Sequence, residues 1–299
     1  MTAVIATEGL GKRYRNRWAL AGCTLSIPAG HVVGLVGPNG AGKTTLINLA
    51  TGMLAPSAGT IEVLGGRPIA GPAQLARVGY LAQDAPLYAG LPVADHLRLG
   101  AHLNPGWDAE LARGRVERLG LDPRQKAGTL SGGQRAQLAL TLATAKRPEL
   151  LILDEPVASL DPLARREFLQ DLMESVAEQQ VSVVLSSHLI SDLERACDYV
   201  IVLVDSRVRL AGPVDDLLAT HHLLSGPRRD RASLAGGLEV ISASHTDVQT
   251  TLLVRSRGQV FDPAWTVSEV GLEDLVLAYM RQAGRPAPRD NHRPLEVRN

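Results

Sequence analysis

The sequence predicts an α/β fold built on a mixed, mostly parallel core sheet, with an antiparallel β subdomain, an inserted helical subdomain and a small C-terminal α+β appendage. Strand-sized apolar runs alternate with segments of helical periodicity, a pattern typical of parallel sheets with helical connections. One run, Val32–Val36, ends in a glycine-rich turn that leads into a helix. Another run, Leu150–Leu153, ends in two adjacent acidic residues. These observations place a candidate site at the ends of two buried strands.

The size and composition of the chain limit the classes of function. The 299 residues suffice for one large domain with an appendage, and we find no internal repeat. The formal net charge is zero, which gives no general argument for binding nucleic acid or an acidic lipid surface. The two cysteines, Cys23 and Cys197, are too few for a disulfide framework and favour a reducing cytosol. We therefore expect no nucleic-acid partner.

Nothing in the sequence predicts a segment that crosses a membrane. The longest apolar runs are strand-sized, whereas a helix needs about 20 apolar residues to span a bilayer. Residues 1–10 lack the basic and apolar regions of a signal peptide. We expect a chain that does not span the membrane.

The first two thirds of the chain supply the predicted core. Residues 1–36 alternate apolar stretches with turns, as an antiparallel hairpin region would. Helix-forming segments, interrupted by Asn104-Pro105-Gly106, predict the helical subdomain at about residues 85–146. In a predicted helix at residues 162–180, apolar side chains recur at the spacing of one helical face. The other predicted strands are Thr60–Leu64, Val78–Ala82, Val181–Leu185 and Val200–Val204.

The periodicity weakens after about residue 220, which we take as the end of the main domain, residues 1–220. Residues 221–280 are predicted to form the appendage from two strands and a helix. The paired His221 and His222 are predicted to lie in a linker, because no further metal ligands are nearby. Residues 281–299 are rich in Arg and Pro and are predicted to be a disordered tail. The appendage strands are Leu238–Ser242 and Thr250–Val254, and its helix is Val270–Tyr279.

A phosphate-binding loop follows the strand Val32–Val36. Residues 37–44 match G-x-x-x-x-G-K-[ST] at every fixed position. Glycine lets backbone N–H groups approach a triphosphate closely, and the start of the following helix favours negative charge. We expect Lys43 to reach the β- and γ-phosphates and the Thr44 hydroxyl to bind Mg²⁺. A chance glycine-rich turn is the alternative, which the flanking strand and helix oppose. The predicted nucleotide ligands are Gly37, Pro38, Asn39, Gly40, Ala41, Gly42, Lys43, Thr44 and Thr45.

Two acidic residues, Asp154 and Glu155, end the apolar strand Leu150–Leu153. Enzymes with this phosphate loop hold Mg²⁺ through water with an acid at the end of a neighbouring buried strand, and Asp154 suits that role. Glu155 can project toward the γ-phosphate and polarise an attacking water. Taken alone, the stretch could also be a strand that runs into an acidic surface turn.

A second glycine-rich turn opens another helix. Residues 131–134, Ser-Gly-Gly-Gln, precede a predicted helix at residues 135–145, which makes a second candidate anion-binding helix start. Together with the phosphate loop and the acidic pair, this turn resembles the signature motif of the ATP-binding cassette (ABC) ATPases. The resemblance covers about residues 1–220. It implies the P-loop NTPase fold, hydrolysis of ATP to ADP and phosphate, and the cofactors ATP and Mg²⁺.

The same resemblance implies roles for further residues. His188 corresponds to a histidine that contacts the γ-phosphate, and Gln83 to a glutamine that contacts Mg²⁺ and water beside the membrane partner. Asp161 corresponds to a residue at a dimer interface. Tyr14 corresponds to an aromatic that stacks on adenine, although Trp18 is close enough to compete. Each has an ordinary alternative: an exposed glutamine, a helix cap, a satisfied histidine, a core or surface tyrosine. The signature-turn ligands of the nucleotide would be Ser131, Gly132, Gly133 and Gln134.

The resemblance also implies how these parts act together. Two ATPase subunits, alike or different, would pair head to tail, with each ATP held between residues 37–45 of one and residues 131–134 of the other. Glu155 would be the general base. His188 and Lys43 would stabilise the charge that develops on the phosphoryl oxygens.

A separate multi-span membrane subunit would receive the energy of hydrolysis, with this chain bound peripherally on the cytoplasmic face of the membrane. Because the segment after residue 220 is short, we expect export of a drug, lipid or similar cargo, by analogy of fold and tail. An importer subunit and a soluble, non-transport ABC ATPase are the alternatives.

Overall fold

The structure, a computed structural model, describes residues 3–227, 238–256, 258 and 265–281. Strands and helices alternate through most of the chain, which confirms the predicted α/β fold. The strands are β1 (Ala3–Tyr14), β2 (Arg17–Pro28), β3 (Val32–Val36), β4 (Ala58–Val63), β5 (Val78–Leu81), β6 (Leu150–Asp154), β7 (Ser182–Ser187), β8 (Tyr199–Val204), β9 (Arg207–Pro213), β10 (His221–Pro227), β11 (Glu239–His245), β12 (Gln249–Arg255) and β13 (Thr266–Glu269). The helices are α1 (Lys43–Ala50), α2 (Pro72–Arg77), α3 (Val93–Leu103), α4 (Ala109–Arg118), α5 (Gly132–Ala145), α6 (Pro162–Gln179), α7 (Ile190–Ala196), α8 (Val214–Thr220) and α9 (Leu272–Met280).

A six-stranded sheet in the order β5-β6-β7-β3-β8-β9 forms the centre of the molecule. All neighbours pair in parallel except β8 and β9, which are antiparallel, so the predicted mixed, mostly parallel sheet is confirmed. Successive residues of β6 face opposite sides of the sheet. One side packs on α5, α6, α7 and α9, and the other on α1 and the N-terminal strands. Because both sides are covered, strands β3, β6 and β8 are apolar along most of their length.

The N-terminal strands form a three-stranded antiparallel sheet in the order β2-β1-β4. This confirms the hairpin region predicted for residues 1–36. The end of the hairpin is joined to the turn between β8 and β9, since the Ala21 N–H donates to the Ser206 carbonyl over 2.8 Å. The Ser206 hydroxyl also donates to the Trp18 carbonyl, over 3.0 Å. The hairpin is therefore held beside the carboxyl ends of the central strands.

Helices α3, α4 and α5 surround a small apolar core of their own. Asp108 caps α4 by accepting the Leu111 N–H over 2.8 Å, and Arg147 holds the same carboxylate at 2.6 Å. The buried Arg115 of α4 donates to Ser175 of α6, which ties this group of helices to the central domain. Side chains of the small core are Val93, Val116, Leu121, Ala127, Leu130 and Leu138.

The C-terminal residues form a four-stranded antiparallel sheet in the order β11-β12-β10-β13, followed by α9. Helix α9 contacts α7 and β8 of the central domain. Its apolar side chains belong to the same buried cluster as those of the central sheet, so the two parts share one core. Members from α9 and its approach are Val270, Leu272, Leu275, Val276, Ala278 and Tyr279, and members from α7 and β8 include Leu193, Ala196, Val200 and Val202.

The expectation that His221 lies in a linker is wrong. His221 begins β10 and is fully buried. Its Nδ1–H donates to the Leu217 carbonyl over 2.7 Å, so its Nε2 accepts the Tyr279 hydroxyl proton over 2.9 Å. The strand was not predicted because β10 begins with two adjacent histidines, which do not fit an apolar alternation. The predicted disordered tail falls on residues 282–299, which lie outside the described residues, apart from Arg281 at the end of α9.

The stability of the chain should fall as the pH drops below about 6.5, in part because of His221. Burial lowers the pKa of His221, and the charges of Arg255 and His222 lower the pKa further, against the contrary effect of the Leu217 carbonyl. The unfolded chain, with an ordinary histidine pKa near 6.5, therefore binds more protons, and the free energy of unfolding falls by up to about 1.4 kcal/mol per pH unit below that value.

Urea unfolding at pH 7.5 and 5.5 measures this effect. The His221→Gln variant should lose less stability than the wild type over that interval, whereas the control variant His102→Gln, at an exposed histidine of α3, should lose as much as the wild type. Equal losses for His221→Gln and the wild type would contradict the assignment.

Among the described residues, no helix is long and apolar enough to cross a bilayer.

Candidate functional site

The predicted phosphate loop joins β3 to α1 at the carboxyl edge of the central sheet. Gly37 leaves no room for a side chain, because a Cβ there would lie 2.2 Å from the Leu203 carbonyl oxygen. Gly42 has a left-handed backbone with φ of 110°, and a Cβ on it would lie 2.5 Å from the Ala19 carbonyl oxygen. Helix α1 begins at Lys43 without a side-chain cap. Its first-turn N–H groups are therefore not bonded by a capping side chain, as an anion site requires.

Lys43 lies inside this loop and is 95% buried. Its Nζ donates to the Gly37 carbonyl over 2.8 Å and lies 3.5 Å from the Glu155 Oε1 atom. Thr44 is exposed beside it, and Thr45 is half-buried. The loop thus presents one buried cation and one exposed hydroxyl at the start of α1.

The acidic pair, Asp154 and Glu155, lies at the carboxyl end of β6. Strand β7 separates β6 from β3, which leads into the phosphate loop. Asp154 is the last residue of β6 and is almost fully buried. Burial and the negative charge of Asp154 both raise the pKa of Tyr80 on the neighbouring strand β5. Glu155 has a left-handed backbone, with φ of 46°, which residues other than glycine adopt infrequently. The bend turns the chain out of the sheet directly after Asp154.

His188 follows β7 and completes a cluster with Lys43 and Glu155. Its Nδ1–H donates to the Glu155 Oε2 atom over 2.8 Å, since the carboxylate can only accept. The Glu155 side chain is 13% exposed and the His188 side chain 42%. The structure therefore brings the three residues predicted as catalytic into direct contact, with the carboxylate between the two nitrogen groups.

Gln83 lies at the same edge of the sheet but outside that cluster. It follows β5, which pairs in parallel with β6, so Gln83 and Asp154 both lie near the carboxyl ends of adjacent strands. The side chain is exposed. Gln83 therefore lies at the edge of the sheet that carries the site. Among the described residues, its side chain has no hydrogen-bond or ion-pair partner.

The signature turn and Asp161 lie together at the starts of two helices. Ser131 caps α5: its hydroxyl accepts the Gln134 N–H over 3.2 Å, and the Gln134 Oε1 accepts the Ser131 N–H over 2.9 Å. Asp161 caps α6 by accepting the N–H groups of Leu163 and Ala164 over 3.0 Å each. A Cβ on Gly133 would lie 3.1 Å from the Ala164 Cβ, so glycine allows the two helix starts to touch. Two of the N–H groups in the signature turn are thus already bonded within the turn.

Tyr14 and Trp18 lie at the end of the β1–β2 hairpin, and both rings are partly exposed. Lys12 Nζ lies 5.6 Å from the Tyr14 ring centroid, and Arg13 Cζ lies 5.7 Å from that of Trp18. The Trp18 ring also covers Gly11, where a Cβ would lie 2.8 Å from the ring. Tyr14 is therefore the more open of the two aromatic side chains.

One residue of the site, Ser186, was not predicted from the sequence. The Ser186 hydroxyl donates to the Asp154 Oδ1 atom over 2.6 Å and accepts the Glu155 N–H over 2.8 Å. Asp154 and Ser186 are register partners in adjacent parallel strands. The available signal was a hydroxyl residue at the end of an apolar run, two positions before His188. Without the strand pairing, nothing connected it to the acidic pair.

Known proteins match the same part of the chain. The family described as ABC transporter matches residues 20–158. The thiamine import ATP-binding protein ThiQ of Salmonella typhimurium is 34% identical over 203 residues, which are 66% of this chain and 86% of that protein. The molybdenum import ATP-binding protein ModC of Rhodobacter capsulatus is 36% identical over 222 residues, 72% of this chain and 61% of that protein.

A solved structure described as an ATP-binding subunit of an ABC transporter has a similar fold. It superposes with a TM-score of 0.65 at 30% sequence identity and covers 72% of this chain and 92% of its own. The matched residues 20–158 contain the phosphate loop, the signature turn and the acidic pair.

Proposed function

Because this chain belongs to the family of ABC transporter ATP-binding subunits, we propose that it powers import through a separate multi-span membrane subunit. Members of the family are ATPases, and the chain is an ATPase that serves transport. The expectation of export is not supported, since the two relatives described above, ThiQ and ModC, are import proteins. The similarity to them favours the importer alternative.

The contact of Lys43, Glu155 and His188 carries the proposed chemistry. The cluster places a buried ammonium, a carboxylate and an imidazole at the edge of the sheet where the phosphate loop ends. Lys43 and His188 would bind the phosphoryl oxygens and stabilise the charge that develops on them. Glu155 would hold the attacking water and accept its proton.

The residues present fit ATP with Mg²⁺. Gly37 and Gly42 let the loop pack against the Leu203 and Ala19 carbonyl oxygens, and α1 starts without a side-chain cap, which leaves its first-turn N–H groups for a phosphate. The exposed Thr44 hydroxyl and the Asp154 carboxylate, through water, would hold Mg²⁺, with Gln83 as a further ligand. When bound, Mg²⁺ neutralises charge on the β- and γ-phosphate oxygens. Tyr14 would stack on the adenine.

We further propose that two such subunits, alike or different, pair head to tail. The signature turn of one, residues 131–134, would contact the nucleotide held by residues 37–45 of the other. The exposed start of α5 supports this arrangement. The Gly132 and Gly133 N–H groups are the donors that the Ser131–Gln134 bonds leave for a ligand.

The proposed domain limits are residues 1–220 for the ATPase domain, about 85–146 for its helical subdomain, and 221–280 for the appendage. We place the chain on the cytoplasmic face of the membrane, where the membrane subunit would contact it near Gln83. The zero net charge gives no general argument for a nucleic-acid partner.

Two measurements test the proposal. The purified chain should hydrolyse ATP only with Mg²⁺, and the membrane subunit should co-purify from detergent extracts. Sealed vesicles holding that subunit, with this chain on the outer surface, are then loaded with labelled thiamine and molybdate, the cargoes of the two named relatives. Import corresponds to ATP-dependent release from the lumen. With the labelled compounds supplied outside unloaded vesicles instead, ATP-dependent accumulation in the lumen would identify an exporter and contradict the proposed direction.

A further inference from the structure

We propose that Ser186 is a positioning residue for ATP hydrolysis, which fixes both Asp154 and Glu155 through one hydroxyl group. The proposal rests on the roles given above to those two acids. Ser186 would contact neither the nucleotide nor the attacking water and would act only through Asp154 and Glu155.

The Ser186 hydroxyl makes one hydrogen bond to each residue of the acidic pair. The side chain is completely buried at the end of β7. Its one proton goes to the Asp154 Oδ1 atom over 2.6 Å, and its oxygen accepts the Glu155 N–H over 2.8 Å. The short distance to Asp154 is typical of a hydroxyl bonded to a charged carboxylate. One small side chain therefore sets the orientation of a carboxylate and of a backbone amide.

The bond to the Glu155 N–H matters because of the backbone there. Glu155 has φ of 46°, a left-handed conformation that residues other than glycine keep only where the surrounding structure holds it. This conformation brings the Glu155 carboxylate to both Lys43 and His188. Without the Ser186 oxygen, the Glu155 N–H would lose its acceptor in a partly buried place, and the backbone would be free to relax. The carboxylate would then move away from the water it must hold.

The hydrogen bond from Ser186 to Asp154 should strengthen the binding of Mg²⁺. With one carboxylate oxygen bonded to Ser186, the Asp154 carboxylate cannot rotate freely. Outer partners of this kind typically contribute 10-fold to 100-fold to metal affinity or activity. Loss of the hydroxyl should therefore raise the Mg²⁺ concentration that the chain requires.

A matched control lies on the same strand. Ser182, at the other end of β7, is also buried, and its hydroxyl accepts the Gly30 N–H over 2.9 Å. Replacing it by alanine removes a buried hydroxyl from the same strand, far from the acidic pair. A purely structural role for Ser186 predicts the same consequences for both substitutions.

The experiment compares the wild type with Ser186→Ala, Ser186→Cys, Ser186→Thr and Ser182→Ala. For each, the affinity for ATP is measured with EDTA and with Mg²⁺, together with kcat, the Mg²⁺ concentration for half-maximal effect, and Tm. Ser186→Ala should raise the Mg²⁺ requirement for tight ATP binding about tenfold and lower kcat about 10-fold to 100-fold. Its ATP affinity in EDTA should stay within about twofold of the wild type, because the phosphate loop is untouched.

The conservative variants separate hydrogen bonding from volume. Ser186→Thr keeps the hydroxyl and should recover most of the Mg²⁺ affinity and kcat. Ser186→Cys has nearly the size of serine but is a weak donor, and should behave like alanine. Rates are normalised to the folded fraction from the Tm measurement, so a variant that merely folds poorly is recognised.

Two results would overturn the proposal. In the first, Ser186→Ala has the same Mg²⁺ requirement and kcat as Ser182→Ala. In the second, Ser186→Cys has the Mg²⁺ requirement and kcat of the wild type. In both cases an active wild type would leave the proposed function intact. A wild-type chain that fails to hydrolyse ATP would instead reject the proposed function, whatever the Ser186 variants do.

Discussion

Replacing Glu155 by glutamine should lower the rate of ATP hydrolysis about 10²-fold to 10⁴-fold, the range typical of a lost general base. Glutamine has the size of glutamate and can still bond the His188 nitrogen, so the arrangement should survive while the proton acceptor is lost. ATP binding should persist, since the phosphate loop is unchanged. The bound, unhydrolysed ATP should then hold two subunits together. Turnover, ATP affinity and the sedimentation of the ATP-bound chain are the measurements.

Glu149→Gln provides the matched control for this experiment. Glu149 lies at the approach to β6, is more than half exposed and is bonded to Arg77, so the same chemical change occurs close in sequence but away from the cluster. It should keep the turnover of the wild type. Turnover in Glu155→Gln at the rate of the wild type would remove Glu155 from the proposed mechanism.

Lys43→Ala should abolish measurable ATP binding, with a loss of affinity of at least about 100-fold, or roughly 2.7 kcal/mol. The Lys43 ammonium is buried within the loop and bonded to Gly37, so it is held in place before a phosphate arrives. A fixed, poorly hydrated cation contributes more to phosphate binding than a mobile surface lysine does. Calorimetry gives the affinity directly. The rise in Tm that ATP causes in the wild type should also disappear.

Lys126→Ala is the corresponding control, because Lys126 is an exposed lysine that precedes the signature turn. It should bind ATP with the affinity of the wild type. Micromolar ATP binding by Lys43→Ala would mean that the phosphate loop has been assigned to the wrong residues.

Strands β3, β6 and β8 of the central sheet were predictable because they are apolar on both faces. The run Val32–Val36 was predicted with the bounds that the structure gives, and Val78–Ala82 ends one residue later than β5 does. Short apolar runs bounded by glycine, proline or acidic residues carry this information locally. The loop motif and the acidic pair directed Lys43 and Glu155 to the γ-phosphate, whereas His188 was added only through the family resemblance.

Some elements with mixed exposure were not predicted. Strand β9 and helix α8 gave no clear periodicity, and β10 was mistaken for a linker at His221. Their stability comes from contacts between distant parts of the chain, such as the bond between His221 and Tyr279, which no local pattern records. Ser186 escaped for the same reason, since its role depends on the register of two strands that are 32 residues apart in the chain.

The apolar cluster common to α9 and the central sheet bears on how the chain can be divided. A shortened chain that ends at residue 220 would keep every motif of the ATPase, yet it would expose the sides of α7 and β8 that α9 covers. Since α7 starts two residues after His188, the loss of order would begin next to the catalytic cluster. The boundary at residue 220 separates two kinds of sequence. It also cuts through the buried apolar cluster that α9 shares with the central sheet.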